Sequence, residues 1–144
     1  MQYVSGYNPS RVFAERTSGN DRTCVNNDNV IINIKFMDGS IGSIVYSANG
    51  DRSFSRERLE IFCEGKTVAS SDFKETLFHS GGSRKKFKGW NQEMGYREEL
   101  EYFFGFIRGD NPCRLTGEEI FFSTAAVLAA HTSLEQARPV DIVI

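Results

Sequence analysis

The chain is poor in the residues that staple, ligate or anchor. Its three cysteines, Cys24, Cys63 and Cys113, are an odd and sparse set in 144 residues, and no two stand at metal-ligand spacing. That arithmetic excludes a disulfide framework and a Cys-based zinc site, and leaves reduced thiols in a cytoplasmic protein as the expected state. Cys63, inside an apolar run, reads as a small core residue. The two histidines, His79 and His131, are far apart and unaccompanied, so no ligand set converges on either. No apolar run approaches the ~18 residues that a membrane span needs. The first residues hold no charged-then-apolar leader and no lipidation signal. Formal charge is −2, which argues against a general nucleic-acid binder. Neither G-x-G-x-x-G nor G-x-x-x-x-G-K-S/T occurs, so the chain lacks the turn whose amides cradle phosphate. There is no G-x-S-x-G elbow. Cys113 follows Pro112 in a loop, with nothing nearby to lower its pKa.

What remains is ordinary globular material. Hydrophobic residues make up 40% and charged residues 25%, values at which a chain folds rather than stays disordered. The length reads as one domain, residues 1–144, and a chain of this size buries about 70% of its unfolded surface.

The most informative stretch runs from Asn29 to Glu64. Two strand-like runs flank Asp38-Gly39, a dipeptide suited to a two-residue hairpin turn. With that turn, Phe36 faces Ile41, Ile34 faces Ser43, Ile32 faces Val45 and Val30 faces Ser47. These residues share an apolar sheet face that should meet the helices. Ile31, Asn33 and Lys35 then share the other face with Gly42, Ile44 and Tyr46. This mixed face is either wet or an interface, and Ile31, Asn33, Ile44 and Tyr46 are the candidate oligomer contacts. A second turn at Asn49-Gly50-Asp51 leads to another strand, Arg58 to Cys63. Glu64-Gly65-Lys66 turns the chain, Thr67 to Ser70 returns, and Asp72 to His79 makes one more strand. Arg11 to Thr17 is read as a strand, and two polar stretches, Ser18 to Asn29 and Ser80 to Gly89, are read as loops.

From Gln92 the period becomes helical. Tyr96, Leu100, Phe103, Phe104 and Ile107 form one stripe, and Gly109 is a stop. Thr116 and Glu119 form a capping box that starts a second helix. It runs to about Ala137, with Ile120, Val127, Leu128 and Leu134 toward the core and its alanines permitting close packing. Pro139 ends it, and Val140 to Ile144 is a last strand. Strands, then two helices, then a strand predict an α+β fold: an open, mostly antiparallel sheet with two main helices packed on one face.

Few residues stand out for chemistry. Arg84-Lys85-Lys86-Phe87-Lys88-Gly89-Trp90 interleaves basic and aromatic residues, which suits a solvated loop or a ligand-facing one, with Arg84 as an anion contact and Trp90 as a platform. His131 reads as a helix-surface residue or as a substrate contact at a domain junction. Arg84, Trp90 and His131 are therefore the substrate-facing candidates. Glu98, Glu99 and Glu101 sit away from the apolar stripe, as a solvated face does. No catalytic, cofactor-binding or metal-binding residue is read.

The wording of the chain adds a resemblance. VIINIKFMDGSIGSIVYSANGD resembles the "strand, DGS-x-G, strand, Y-x-A-x-GD" passage of the glucose–fructose oxidoreductase/inositol dehydrogenase family (Gfo/Idh/MocA). Arg56-Glu57-Arg58-Leu59-Glu60-Ile61-Phe62, then Ser71-Asp72-Phe73, is similar to "KERLEVF … DDF" of one group in it. Asn91 to Leu100 stands where that group has Q-D-K-G-H-x-x-E-L, and Thr132 to Val140 resembles its "x-S-L-x-x-G-x-P-V". Arg56, Glu93, Met94 and Tyr96 depart from the pattern, which puts the substrate in doubt. The resemblance covers nearly the whole chain.

It implies the C-terminal substrate and oligomerisation domain of an NAD- or NADP-dependent enzyme of sugars, polyols or related hydroxy compounds. In that family the cofactor and the catalytic Lys belong to an N-terminal Rossmann domain, so no cofactor is expected on these residues. Met1 to Gly6 stands where the family has the end of the helix after its D-x-x-x-H segment. A homo-oligomer through the sheet is implied, with neither nucleic acid nor membrane as partner. The alternative is a standalone, non-catalytic binding or dimerisation module with the same sheet.

Overall fold

In the computed structural model, residues 1–17, 29–89, 95–112 and 116–143 are described. Residues 18–28 of the loop predicted from Ser18 to Asn29, and the candidate Trp90, lie outside them, while Asn29 itself begins a strand. The class is α+β, with open antiparallel sheets. Among the described residues, eight strands are arranged in two four-stranded ladders, and the chain divides into two compact units, Met1–Gly50 with Cys113–Ile144, and Asp51–Pro112.

The first unit opens with a single helical turn, α1 (Gln2–Ser5), stopped by Gly6 at φ 74°. Strands β1 (Pro9–Arg16), β2 (Asn29–Phe36), β3 (Ile41–Ser47) and β8 (Val140–Asp141) form a sheet in the order β3-β2-β1-β8. The long helix α3 (Gly117–Gln136) packs on β1 and β8. Its start is the predicted one. Thr116 Oγ1 accepts from the Glu119 amide, and the Glu119 carboxylate accepts from the Thr116 amide at 2.8 Å. Two otherwise orphaned donors are thereby satisfied.

The packed side of α3 differs from the prediction. Val12 and Ala14 of β1 meet Ala129 and Ala130, flanked by Ile32, Ile34, Ala126 and Leu134. Phe122 and Ser133 are fully buried, whereas Ile120, Val127 and Leu128 are exposed. Small side chains let the helix backbone approach the sheet closely, so they take the inner face that a hydrophobicity count assigns to larger ones. Ser133 closes the packing. Val140 pairs with Val12, but β8 ends there and leaves the next inward amide of β1 without a strand partner. Ser133 Oγ accepts from that Ala14 amide at 2.9 Å and donates to the Arg138 carbonyl at 2.7 Å.

The β2–β3 hairpin corrects the predicted register by one residue. Its loop has three residues, Met37, Asp38 and Gly39. Phe36 and Ser40 close it, with the Phe36 amide donating to the Ser40 carbonyl at 2.9 Å. Gly39 takes φ 89°, the left-handed residue of a type I turn with a G1 bulge. Lys35 therefore pairs with Ile41, Ile34 with Gly42, Ile32 with Ile44 and Val30 with Tyr46. A one-residue slip carries every β3 side chain to the opposite face. Ile44 and Tyr46 share the helix side with Ile32 and Val30, and Ile31 and Asn33 share the outward side with Val45 and Ser43. The four candidate oligomer contacts thus fall on two faces.

The second unit is a meander, β4 (Arg58–Cys63), β5 (Lys66–Ser71), β6 (Glu75–Ser80) and β7 (Ser83–Lys88), followed by helix α2 (Tyr96–Arg108). The basic stretch predicted as a loop is the edge strand β7. Ser80 pairs with Ser83 across Gly81 and Gly82, both at positive φ, which is the backbone a type I′ hairpin requires. Four cations on an edge strand keep it from pairing with another chain. Asp72 to Lys74, expected in strand, form the β5–β6 turn. The left-handed Asp72 ties this turn to the preceding connection, its amide donating to the Glu57 carbonyl. Helix α2 ends at Gly109, as predicted. Its stripe does not form a core: Leu100, Phe103, Phe104 and Ile107 are exposed.

Candidate functional site

Sheet register decides what each face presents. In the second unit, Arg58, Glu60 and Phe62 share a face with Glu75, Leu77 and His79, and with Lys88, Lys86 and Arg84 of β7. Leu59, Ile61, Val68, Phe78 and Phe87 lie on the other. Arg84 stands opposite His79 at the exposed edge. Lys86 bonds Glu75 at 2.7 Å, and that bond, with weaker help from Lys88 and Arg84, holds the Glu75 carboxyl below the usual range. Arg58 bonds Glu60 at 2.7 Å on the same face, so its cations outnumber two internal counter-charges, Glu60 and Glu75.

In the first unit the outward face carries Ile31, Ile41 and Val45, all exposed, beside half-buried Phe13. Polar pairs alternate with them. Ser43 donates to Asn33 and Ser47 to Asn29, each at 2.6 Å, and Arg11 bonds Asp141 at 2.5 Å. The Arg11 guanidinium keeps the Asp141 carboxyl low. Apolar side chains with satisfied polar neighbours make a surface fit for contact.

Depressions in this unit are formed by described residues of its strand ends and helix starts. A groove of about 600 Å³ runs past the ends of β1, β2 and β3, with Glu15, Arg16, Asn29, Tyr46 and Asn49 among its lining. Nothing in the sequence marked it, because three strand ends meet there only through the register. A smaller cleft of about 270 Å³ lies between α1 and the start of α3. It is laced by Gln2 to Asn8 at 2.8 Å and Asn8 to Glu118 at 2.9 Å.

His131 is exposed on α3, 3.5 Å from Glu135. Arg84 belongs to the second unit and His131 to the first. Cys63 is exposed in β4, where a buried core residue was expected. Among the described residues, no His, Cys, Asp and Glu group is placed to hold a metal ion. None of the described helices is long and apolar enough to cross a membrane.

No protein-family model and no curated protein sequence matches the chain. Solved structures do match its fold. An oxidoreductase from Agrobacterium radiobacter, solved with NAD+, L-tartaric acid and magnesium, matches 98% of this chain with a TM-score of 0.76 and 15% identity. A UDP-N-acetylglucosamine 3-dehydrogenase from Acidithiobacillus ferrooxidans matches 94% with a TM-score of 0.75 and 16% identity. The aldose–aldose oxidoreductase of Caulobacter crescentus, complexed with glycerol, matches 97% with a TM-score of 0.73 and 14% identity. The chain spans less than half of each, 45%, 43% and 43% respectively.

Proposed function

We propose that the chain is the C-terminal domain of a Gfo/Idh/MocA-type oxidoreductase that acts on a sugar, polyol or related hydroxy compound. One observation carries the reading. Nearly the whole chain takes the fold of oxidoreductases of which it covers less than half. The passages that resemble the family in sequence support it, because they occur in the family's order. Fold alone does not fix activity, so the reaction is assigned through that coincidence of fold and wording.

In this reading the nicotinamide cofactor, NAD or NADP, is held by a Rossmann domain outside these 144 residues. When bound there, it exchanges a hydride with a hydroxyl-bearing carbon of the substrate. The residues of this chain shape the substrate wall and the assembly. Arg84 in one unit and His131 in the other are each proposed, separately, as a contact for an anionic or hydroxylated part of the substrate. The outward sheet face joins two copies through Ile31 and Asn33, together with Ile41, Ser43 and Val45. Ile44 and Tyr46, on the helix side, take no part in it. The protein works in the cytoplasm, with neither nucleic acid nor membrane as partner.

Titration calorimetry of the chain with NAD and with NADP tests the division of labour. No heat of binding is expected, and tight binding of either would overturn the assignment. The coding sequence upstream of Met1 separates this reading from a standalone binding or dimerisation module. An in-frame Rossmann-coding region supports the oxidoreductase half. A genuine start codon with a ribosome site supports the module.

A further inference from the structure

We propose that β4 is a pairing edge for a second copy of this chain. The two β4 strands run antiparallel about a two-fold axis at Leu59, so that Arg58 of each copy stands opposite Glu60 of the other. Strands β4 and β7 are the ends of the second unit's ladder. An end strand offers a row of backbone N–H and C=O groups to another chain unless its side chains forbid it. The contact depends on that edge alone and stands apart from the oxidoreductase assignment.

The phase of the backbone fixes which groups each edge offers. The Asp72 amide donates to the Glu57 carbonyl at 2.6 Å, and Cys63 pairs with Lys66 across the turn Glu64-Gly65. Antiparallel partners alternate between pairs that exchange backbone bonds and pairs that do not. Glu57, Leu59, Ile61 and Cys63 therefore bond toward β5, and Arg58, Glu60 and Phe62 turn their amides and carbonyls outward. On β7 the same alternation, counted from Ser80 and Ser83, turns those of Arg84, Lys86 and Lys88 outward. Every antiparallel register of one β7 with another then sets cation against cation, so that edge refuses a second copy.

Strand β4 carries both signs, and its charges complement those of a second β4. Arg58 and Glu60 are exposed and bonded to each other at 2.7 Å, with exposed Leu59 and Phe62 beside them. An axis at Arg58 or at Glu60 would set like charges opposite each other. An axis at Ile61 would bring Arg58 opposite Glu64, which leaves the extended backbone at φ 49°. An axis at Leu59 makes Arg58 and Glu60 the bond-exchanging pairs and alternates the charges around it. One strand pair buries far less than a standard interface, so the contact alone is weak, on the order of a millimolar. In a chain that also associates through its outward sheet face, two different two-fold contacts join more than two copies.

Amide hydrogen exchange followed by NMR tests the pairing on the Val45→Arg variant, so that the outward sheet face does not contribute. Half of the copies are paired when the concentration equals the dissociation constant. The Arg58 and Glu60 amides should therefore exchange about twofold more slowly in a millimolar sample than in a dilute one. The Lys86 and Lys88 amides of β7 should exchange equally in both. Glu60→Arg and Arg58→Glu each set like charges opposite each other and should abolish the difference, whereas the two together should restore it. Both side chains are exposed, so the fold does not depend on either. Exchange at Arg58 and Glu60 that is independent of concentration would overturn the proposal. So would a difference that persists in Glu60→Arg, or one that the double variant fails to restore. Slowing at Phe62 without slowing at Arg58 would mean another register and would overturn it too.

Discussion

Ser133→Ala should weaken the first unit at one identifiable amide. The side chain is fully buried and joins two backbone groups that have no other strand to pair with. Removing the hydroxyl leaves the Ala14 amide buried without an acceptor, which costs about 1–3 kcal/mol. The Arg138 carbonyl is less enclosed and recovers part of its loss from water. The expected net loss is therefore about 2 kcal/mol, the middle of the range for one orphaned buried donor. At about 1.4 kcal/mol per factor of ten, the opening equilibrium at Ala14 should rise about 30-fold.

Amide hydrogen exchange reads that quantity directly at Ala14, which a global melt does not, because the chain has two compact units and need not unfold in one step. Ser123→Ala is the control. Its exposed hydroxyl bonds the Gln2 side chain at 2.8 Å, and an exposed contact of that kind should change stability by less than about 0.5 kcal/mol. If Ser133→Ala alters Ala14 exchange by no more than about threefold, a change of under 1 kcal/mol, the hydroxyl does not substitute for the missing strand and the argument is refuted.

Two other outcomes follow from the charges and the register. Six carboxyls among the described residues lie low in the folded chain: Asp72 chiefly through Lys74, Asp141 through Arg11, Glu75 through Lys86, Glu119 through the Thr116 amide, Asp38 through the Ser40 hydroxyl and Asp51 through the Ser53 hydroxyl. A folded pKa below the unfolded one contributes stability that is present above the unfolded value and lost as pH falls through the folded one. Urea midpoints should therefore hold near neutral pH and fall below the ordinary carboxyl range, and a midpoint that rises on acidification would contradict this assignment. Val45→Arg places a charge on the outward face, where its neighbour across the strands is Ile31. Sedimentation should show the parent chain self-associating at high micromolar concentration and the variant shifted to monomer, while Tyr46→Arg on the helix side leaves association unchanged. A parent chain that stays monomeric refutes the interface.

The sequence carried element types better than it carried faces. The capping box at Thr116, the stop at Gly109 and the turn at Glu64-Gly65 were all legible, because each is a local rule that acts within a few residues. The β2–β3 register was not, because Asp38-Gly39 fits a two-residue loop as well as the end of a three-residue one. Only the closing bond between Phe36 and Ser40 distinguishes them. The Gly81-Gly82 turn was equally local, but the cations around it were read as loop composition, when the same cations are what an edge strand needs. Of the candidate site, the exposure of Arg84 and His131 agrees with their polarity. The groove past β1, β2 and β3 was out of reach, since it exists only where non-local strands end together.

The surfaces that resisted prediction share a property. Helix α3 buries alanine and serine and exposes Ile120, Phe121, Val127 and Leu128. A helix apolar on every side is characteristic of one enclosed on every side. Helix α2 exposes its whole stripe, and the outward face of the first sheet exposes Ile31, Ile41 and Val45. The composition is that of an ordinary globular protein, yet a soluble monomer rarely leaves large apolar patches open. The sequence reading set Ile120, Val127 and Leu128 toward the core, Ile41 and Val45 on the helix-facing side of the sheet and Ile31 on the mixed face as an interface contact; the structure exposes all six. Under the proposed function these surfaces have partners: a second copy on the outward sheet face, and the rest of a protein more than twice this length for the helices.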